Sequence, residues 1–97
     1  MLKPDALIEI RLLTPDQGGR QTPIVGEYFG CPLYVKGRAF DCRLFLEGKS
    51  IEFGRSCLIR VKFLIFEDAK PFLKIDGQIS LWEGKTIATG RIVEIYN

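Results

Sequence analysis

The chain has no histidine and three cysteines, Cys31, Cys42 and Cys57. Without an imidazole there is no ordinary general base for a serine or cysteine nucleophile, and no ring nitrogen to complete a mixed zinc site. The cysteines are odd in number and too widely spaced for a redox or zinc pair. Cys42 and Cys57 fall within apolar alternation and read as buried free thiols. Adjacent carboxylates occur at Glu67 and Asp68, inside a polar break where a solvated cap is expected rather than an acid–base pair. No catalytic residue, metal site or cofactor is therefore expected, and the chain reads as a non-enzyme. The remaining candidates suit contact rather than catalysis. Arg43, Arg60 and Lys62, with Lys36, would form a basic outer stripe able to meet phosphates. Trp82, the single tryptophan, can stack on a base or a partner's side chain, or cover the end of a fold. Arg20 lies in a glycine-rich loop that could offer a guanidinium and backbone N–H groups to an anion, or could simply fold the loop. Tyr34 and Lys85 complete the candidate binding surface.

These residues must be positioned by one domain, because 97 residues leave no room for a second. A core of that size removes roughly 60–70% of the unfolded surface from water. Hydrophobic residues make up 46% and charged residues 27%, an ordinary globular balance. Fourteen basic residues against twelve acidic ones leave a net charge of +2, so field strength alone does not argue for nucleic acid. The first residues contain no apolar leader core and no run reaches membrane-spanning length, so a cytoplasmic protein without a membrane partner is expected.

The dominant period is two. Residues 7–13 place Ile8, Ile10 and Leu12 on one face, with Glu9 and Arg11 opposite. Residues 14–23 break this pattern with two prolines and two glycines and form a long, stiffened loop. Residues 24–29 are ambiguous, and 33–36 read as a strand ending near Gly37. Alternation resumes over 38–47, with Phe40, Cys42, Leu44 and Leu46 on one face and Asp41, Arg43 and Glu47 on the other. Phe45 is the apolar exception on the outer side: a candidate contact, or sheet packing at a barrel corner. Gly48 and Lys49 turn the chain into a short segment at 51–53. Residues 57–66 are the strongest strand, with Cys57, Ile59, Val61, Phe63 and Ile65 on one face. A polar break over 67–71 precedes a candidate strand at 72–75, and Asp76 and Gly77 signal a turn. Ile79 and Leu81 point inward, residues 83–85 turn tightly, and 86–95 return as the last strand. Gly90 inside that strand predicts a bulge or a close backbone approach. With no helical period in any window, six or so short strands predict an all-β barrel or sandwich. Its last strand should close against an early one.

Two phrases carry a resemblance. Gly18-Gly19-Arg20-Gln21-Thr22-Pro23 resembles the Gly-Gly-Arg-His-Thr-Pro loop that follows the first strand in the C-terminal domain (domain III) of elongation factor Tu. The segment from Ile79 to Gly90, with Trp82-Glu83-Gly84-Lys85-Thr86, resembles the Glu-Gly-Gly hairpin of the same domain. The likeness spans roughly residues 6 to 96 and implies a small six-stranded antiparallel Greek-key β-barrel encoded as a standalone domain. It also implies a binding module connected with translation through RNA or a translation factor; a protein–protein regulatory module unrelated to tRNA is the alternative. The family's nucleotide-binding run Gly-x-x-x-x-Gly-Lys-Ser/Thr is missing, so GTP binding is not expected. At the family's tRNA-contacting positions this chain keeps the aromatic at Tyr34 and the turn glycine Gly84. It lacks the glutamine of the Pro-Gln-Phe-Tyr-Phe strand and, over Arg38-Ala39-Phe40-Asp41, the threonine.

Overall fold

Apolar side chains at every second position leave water together when the strands that carry them enclose a common interior. The computed structural model, which describes residues 2–96, shows this arrangement. Its strands are β1 (Ala6–Leu12), β2 (Tyr28–Val35), β3 (Arg38–Phe45), β4 (Ser56–Phe63), β5 (Gln78–Trp82) and β6 (Thr86–Ile95). They form a closed six-stranded barrel in the order β1-β4-β3-β2-β5-β6, every neighbouring pair antiparallel. Strands β2, β3 and β4 make a meander, and β1, joined to β2 by the long connection over residues 13–27, lies beside β4, which is a Greek key. Closure by β6 on β1 leaves neither of them as a free edge.

The core takes Ile8, Ile10 and Leu12 from β1, Leu33 and Val35 from β2, and Cys42 and Leu44 from β3. Ile59, Val61 and Phe63 of β4, Ile79 and Leu81 of β5, and Ile87 and Ile92 of β6 join them. Ile87 and Ala88 are adjacent yet both buried, because the β5–β6 register shifts between Leu81 and Trp82. A second shift, between Leu7 and Ile8, re-aims β6 against β1. Gly90 sits between Ile10 and Ile79. A Cβ there would overlap the carbonyl oxygen of Glu9, the close backbone approach that its place in the strand predicts.

Several expectations change. β2 begins at Tyr28, so the ambiguous segment is partly strand, and Ile24 makes an isolated bridge to Ile51. β4 ends at Phe63, and Ile65, expected on the inner face, is 56% exposed. Beyond it the chain winds into a helical turn, α1 (Phe66–Ala69), and a 3-10 turn at Lys70–Phe72, where a polar break and a strand were expected. The reason is packing at the barrel mouth. Phe66 lies 6.4 Å from the Phe63 ring and Phe72 lies 5.6 Å from Phe40, while Ala69 and Leu73 are buried. Four residues of helix are too few to reveal a 3.6-residue period. Pro71 is tolerated early in the 3-10 turn, where its missing N–H is no loss. Ile24, Leu46 and Ile51 are buried at the opposite mouth, with Phe53 bridged to Leu12.

Candidate functional site

The two phrases that carry the resemblance touch. Arg20 donates from Nη1 to both carboxylate oxygens of Glu83, at 2.6 and 2.7 Å, and from Nε to the carbonyl of Thr22 at 3.1 Å. Its guanidinium also lies 5.1 Å from the Phe29 ring centroid. Arg20 thus ties the loop to the β5–β6 hairpin, as its folding role predicts, and is not held open for an anion. Gly18 has positive φ, 86°, but Gly19 does not; it is glycine because a Cβ would collide with the Leu13 carbonyl. Thr22 accepts from Arg20 through its carbonyl and, at 3.4 Å, its hydroxyl.

Beside this junction the outer surface of four adjacent strands forms a row. Register places Arg11 of β1 opposite Thr89 of β6, Thr89 opposite Ser80 of β5, and Ser80 opposite Tyr34 of β2. None of the three hydroxyls makes a side-chain hydrogen bond among the described residues, and Arg11 has no carboxylate partner among them. Two residues beyond Ser80 toward the hairpin tip, Trp82 meets Tyr34 with ring centroids 5.6 Å apart and planes tilted 50°, and it remains 38% exposed. Lys85 is exposed in the hairpin turn. In the other direction β2 and β5 part after the Tyr34–Ser80 pair. Between them opens a groove of about 880 Å³ lined by Tyr34, Lys36, Gln78, Ser80 and Thr89, with Gly37 and Gly90 adding no side chain. Farther along, Arg91 donates to Glu9 at 3.0 Å and to Asp76 at 2.5 Å. Those two hydrogen bonds hold its guanidinium pKa above the usual value and its charge locally balanced.

The basic stripe expected from sequence lies on β3 and β4. Arg43 faces Lys62 across the strand pair, and Arg60 follows on the same face of β4. Their charges are partly answered. Arg60 donates to both oxygens of Glu47 at 2.7 and 3.0 Å, which raises its pKa, and Lys62 lies 3.8 Å from the Asp5 carboxylate. Asp5 is buried and accepts the Phe63 N–H at 2.9 Å, a polar core contact that a single acidic letter near the chain start did not signal. Arg43 sits 5.6 Å from the Tyr28 ring, which meets Phe45 edge-on at 5.5 Å. Phe45 is therefore half-buried in an aromatic pair rather than an open contact. Lys36 does not join this stripe; it lines the β2–β5 groove.

The thiols differ from the sequence reading in which of them is buried. Cys31 and Cys42 are buried cross-strand neighbours, whereas Cys57 is half-buried; all are free. Cys42 Sγ donates to the Cys31 carbonyl at 3.2 Å. Hydrogen bonding to Cys31, then burial, push the Cys42 thiol up, while burial and then the Glu9 charge raise Cys57. Both shifts disfavour the nucleophilic thiolate. Glu67 and Asp68 stand in the first turn of α1, where carboxylates favour the positive helix end. Among the described residues no group of histidine, cysteine and carboxylate side chains is placed to hold a metal, and no helix is long and apolar enough to cross a membrane. The sequence matches no protein-family model, and no curated protein matches it at a significant level.

Proposed function

We propose that this barrel is a non-catalytic RNA-binding module of the translation apparatus, cytoplasmic and related to domain III of elongation factor Tu, and that it meets RNA with the outer face of β2, β5 and β6. The observation that carries the reading is the row Arg11–Thr89–Ser80–Tyr34, with its unengaged hydroxyls and with Lys36 and Trp82 on either side. Cations without carboxylate partners release counterions when they meet phosphates, hydroxyls donate to phosphate oxygens, and an aromatic ring receives a base. The β3–β4 stripe is the weaker surface, because Arg60 and Lys62 each lie near a carboxylate. The translation link rests on the two sequence phrases that Arg20 and Glu83 join.

The test is binding of end-labelled transfer RNA by fluorescence anisotropy across a salt series. Arg11→Ala and Lys36→Ala should each weaken binding and lower the log–log salt slope by about one. The double change Arg60→Ala with Lys62→Ala should leave most of the affinity intact. No binding at low salt removes the RNA reading, and loss confined to the Arg60/Lys62 variant moves the surface to β3–β4. A protein-binding reading is favoured by one separate feature. Leu64 is 76% exposed and, with Leu2 and Phe63, lines a groove of about 430 Å³ that Asp41, Arg43 and Lys62 border, which fits an apolar segment of a partner protein.

A further inference from the structure

From the same face, and resting on the RNA reading, we infer that the ligand is a single strand: an unpaired base stacks on Trp82 while the adjoining phosphates follow the Thr89–Ser80–Tyr34 row between Arg11 and Lys36. Neighbouring strands in a sheet lie about 4.8 Å apart, so the row from Arg11 to Tyr34 crosses three strand gaps and runs about 14 Å. That is long enough for a few nucleotides of extended backbone and far shorter than a duplex footprint.

The aromatic geometry decides between strand and duplex. The Tyr34 and Trp82 planes are tilted by 50°, so the rings do not stack face to face, and over a third of Trp82 stays in water. A duplex keeps its bases paired and stacked inside and presents sugar and phosphate to the protein, leaving such a ring without a partner. A single strand can splay a base onto it, and every base has a π-face, so the contact does not demand a sequence. The groove beyond Tyr34 supports the same reading. Gly37, where an added Cβ would meet nothing within 4 Å, leaves it without a side-chain wall at that point, and Lys36 supplies its charge. An extended backbone can then descend toward the sheet, where the Ser80 and Thr89 hydroxyls are free to donate.

Because Trp82 is the only tryptophan, its fluorescence reports this contact directly. The intact chain is titrated at low salt with a short single-stranded oligouridylate and with the same strand paired to oligoadenylate. Anisotropy of an end label reads affinity, and tryptophan emission reads stacking. The single strand is expected to quench Trp82 and to bind at least about tenfold tighter than the duplex. Trp82→Leu should lose about tenfold or more in affinity for the single strand, while Trp82→Phe retains most of it. Lys36→Ala, which leaves the aromatic pair in place, should lower the salt slope by about one. Equal binding of strand and duplex, with Trp82→Leu unaffected, overturns the stacking inference and leaves the RNA reading standing. Binding of neither at low salt overturns both. A urea midpoint for each variant close to that of the parent chain ties the losses to contact rather than to unfolding.

Discussion

Replacing Arg20 by alanine should loosen the joint between the β1–β2 connection and the β5–β6 hairpin, and the structure sets the size of the effect. Four contacts are lost, the weakest being the 3.4 Å hydrogen bond to the Thr22 hydroxyl. The pair with Glu83 involves an arginine side chain 19% exposed and a glutamate 47% exposed, so solvent screening holds it to about 0.5–1 kcal/mol. The hydrogen bond to the Thr22 carbonyl adds about 0.5–1.5 kcal/mol, and the contact with the Phe29 ring about 0.5–1 kcal/mol. Together Arg20→Ala should cost about 1.5–3.5 kcal/mol, which for a domain of this size lowers Tm by roughly 4–8 °C per kcal/mol. Glu83→Ala removes only the first contact and should cost about 0.5–1 kcal/mol. Urea unfolding of the parent, both single variants and the double variant closes a double-mutant cycle. A coupling of about 0.5–1 kcal/mol that shrinks with added salt is expected. Additivity within about 0.3 kcal/mol, or a larger loss from Glu83→Ala than from Arg20→Ala, would refute the assignment of Arg20 as the tie between the two phrases.

Two further outcomes follow from packing and burial. Gly90→Ala should be destabilising by about 1–3 kcal/mol, because the added methyl meets the backbone of Glu9 and Ile10 rather than a movable side chain; an unchanged urea midpoint would contradict that approach. The raised thiol pKa values bind protons more tightly in the folded than in the unfolded chain, so their contribution to stability is complete below the ordinary thiol range and is lost as pH climbs through and above it. Iodoacetamide at pH 8 should therefore modify Cys57 more slowly than free cysteine, and burial should limit modification of Cys31 and Cys42 to unfolding conditions. Rapid modification of Cys42 in the folded chain would contradict its burial.

Much of the barrel was readable because strand burial has a short period. In β1 and β3 every second letter is apolar, and the faces assigned from that alternation are those found buried. Gly90 announced a close approach in the same local way. The failures lie where a local pattern meets a distant constraint. The alternation through Ile65 looked like more strand, yet the chain turns there to seal the barrel mouth with Phe66 and Phe72, partners of Phe63 and Phe40. Phe45 looked like an isolated exception until Tyr28 arrived across the β2–β3 pair.

The sequence by itself determined a small all-β domain without histidine chemistry, and it singled out Arg20, Tyr34, Arg43, Arg60, Lys62, Trp82 and Lys85. Residue type and period two are local properties, so they survive without a fold. Only the tertiary structure decided which of these residues share a surface. It joined Arg20 to Glu83, set Arg43, Arg60 and Lys62 among carboxylates and aromatic rings, and brought Tyr34 and Trp82 together. It also added Arg11, Ser80 and Thr89, which carry no sequence signal of their own. Their row exists because strand order and register put β1, β6, β5 and β2 side by side, and that register is set by the closure of the whole barrel rather than by any one strand.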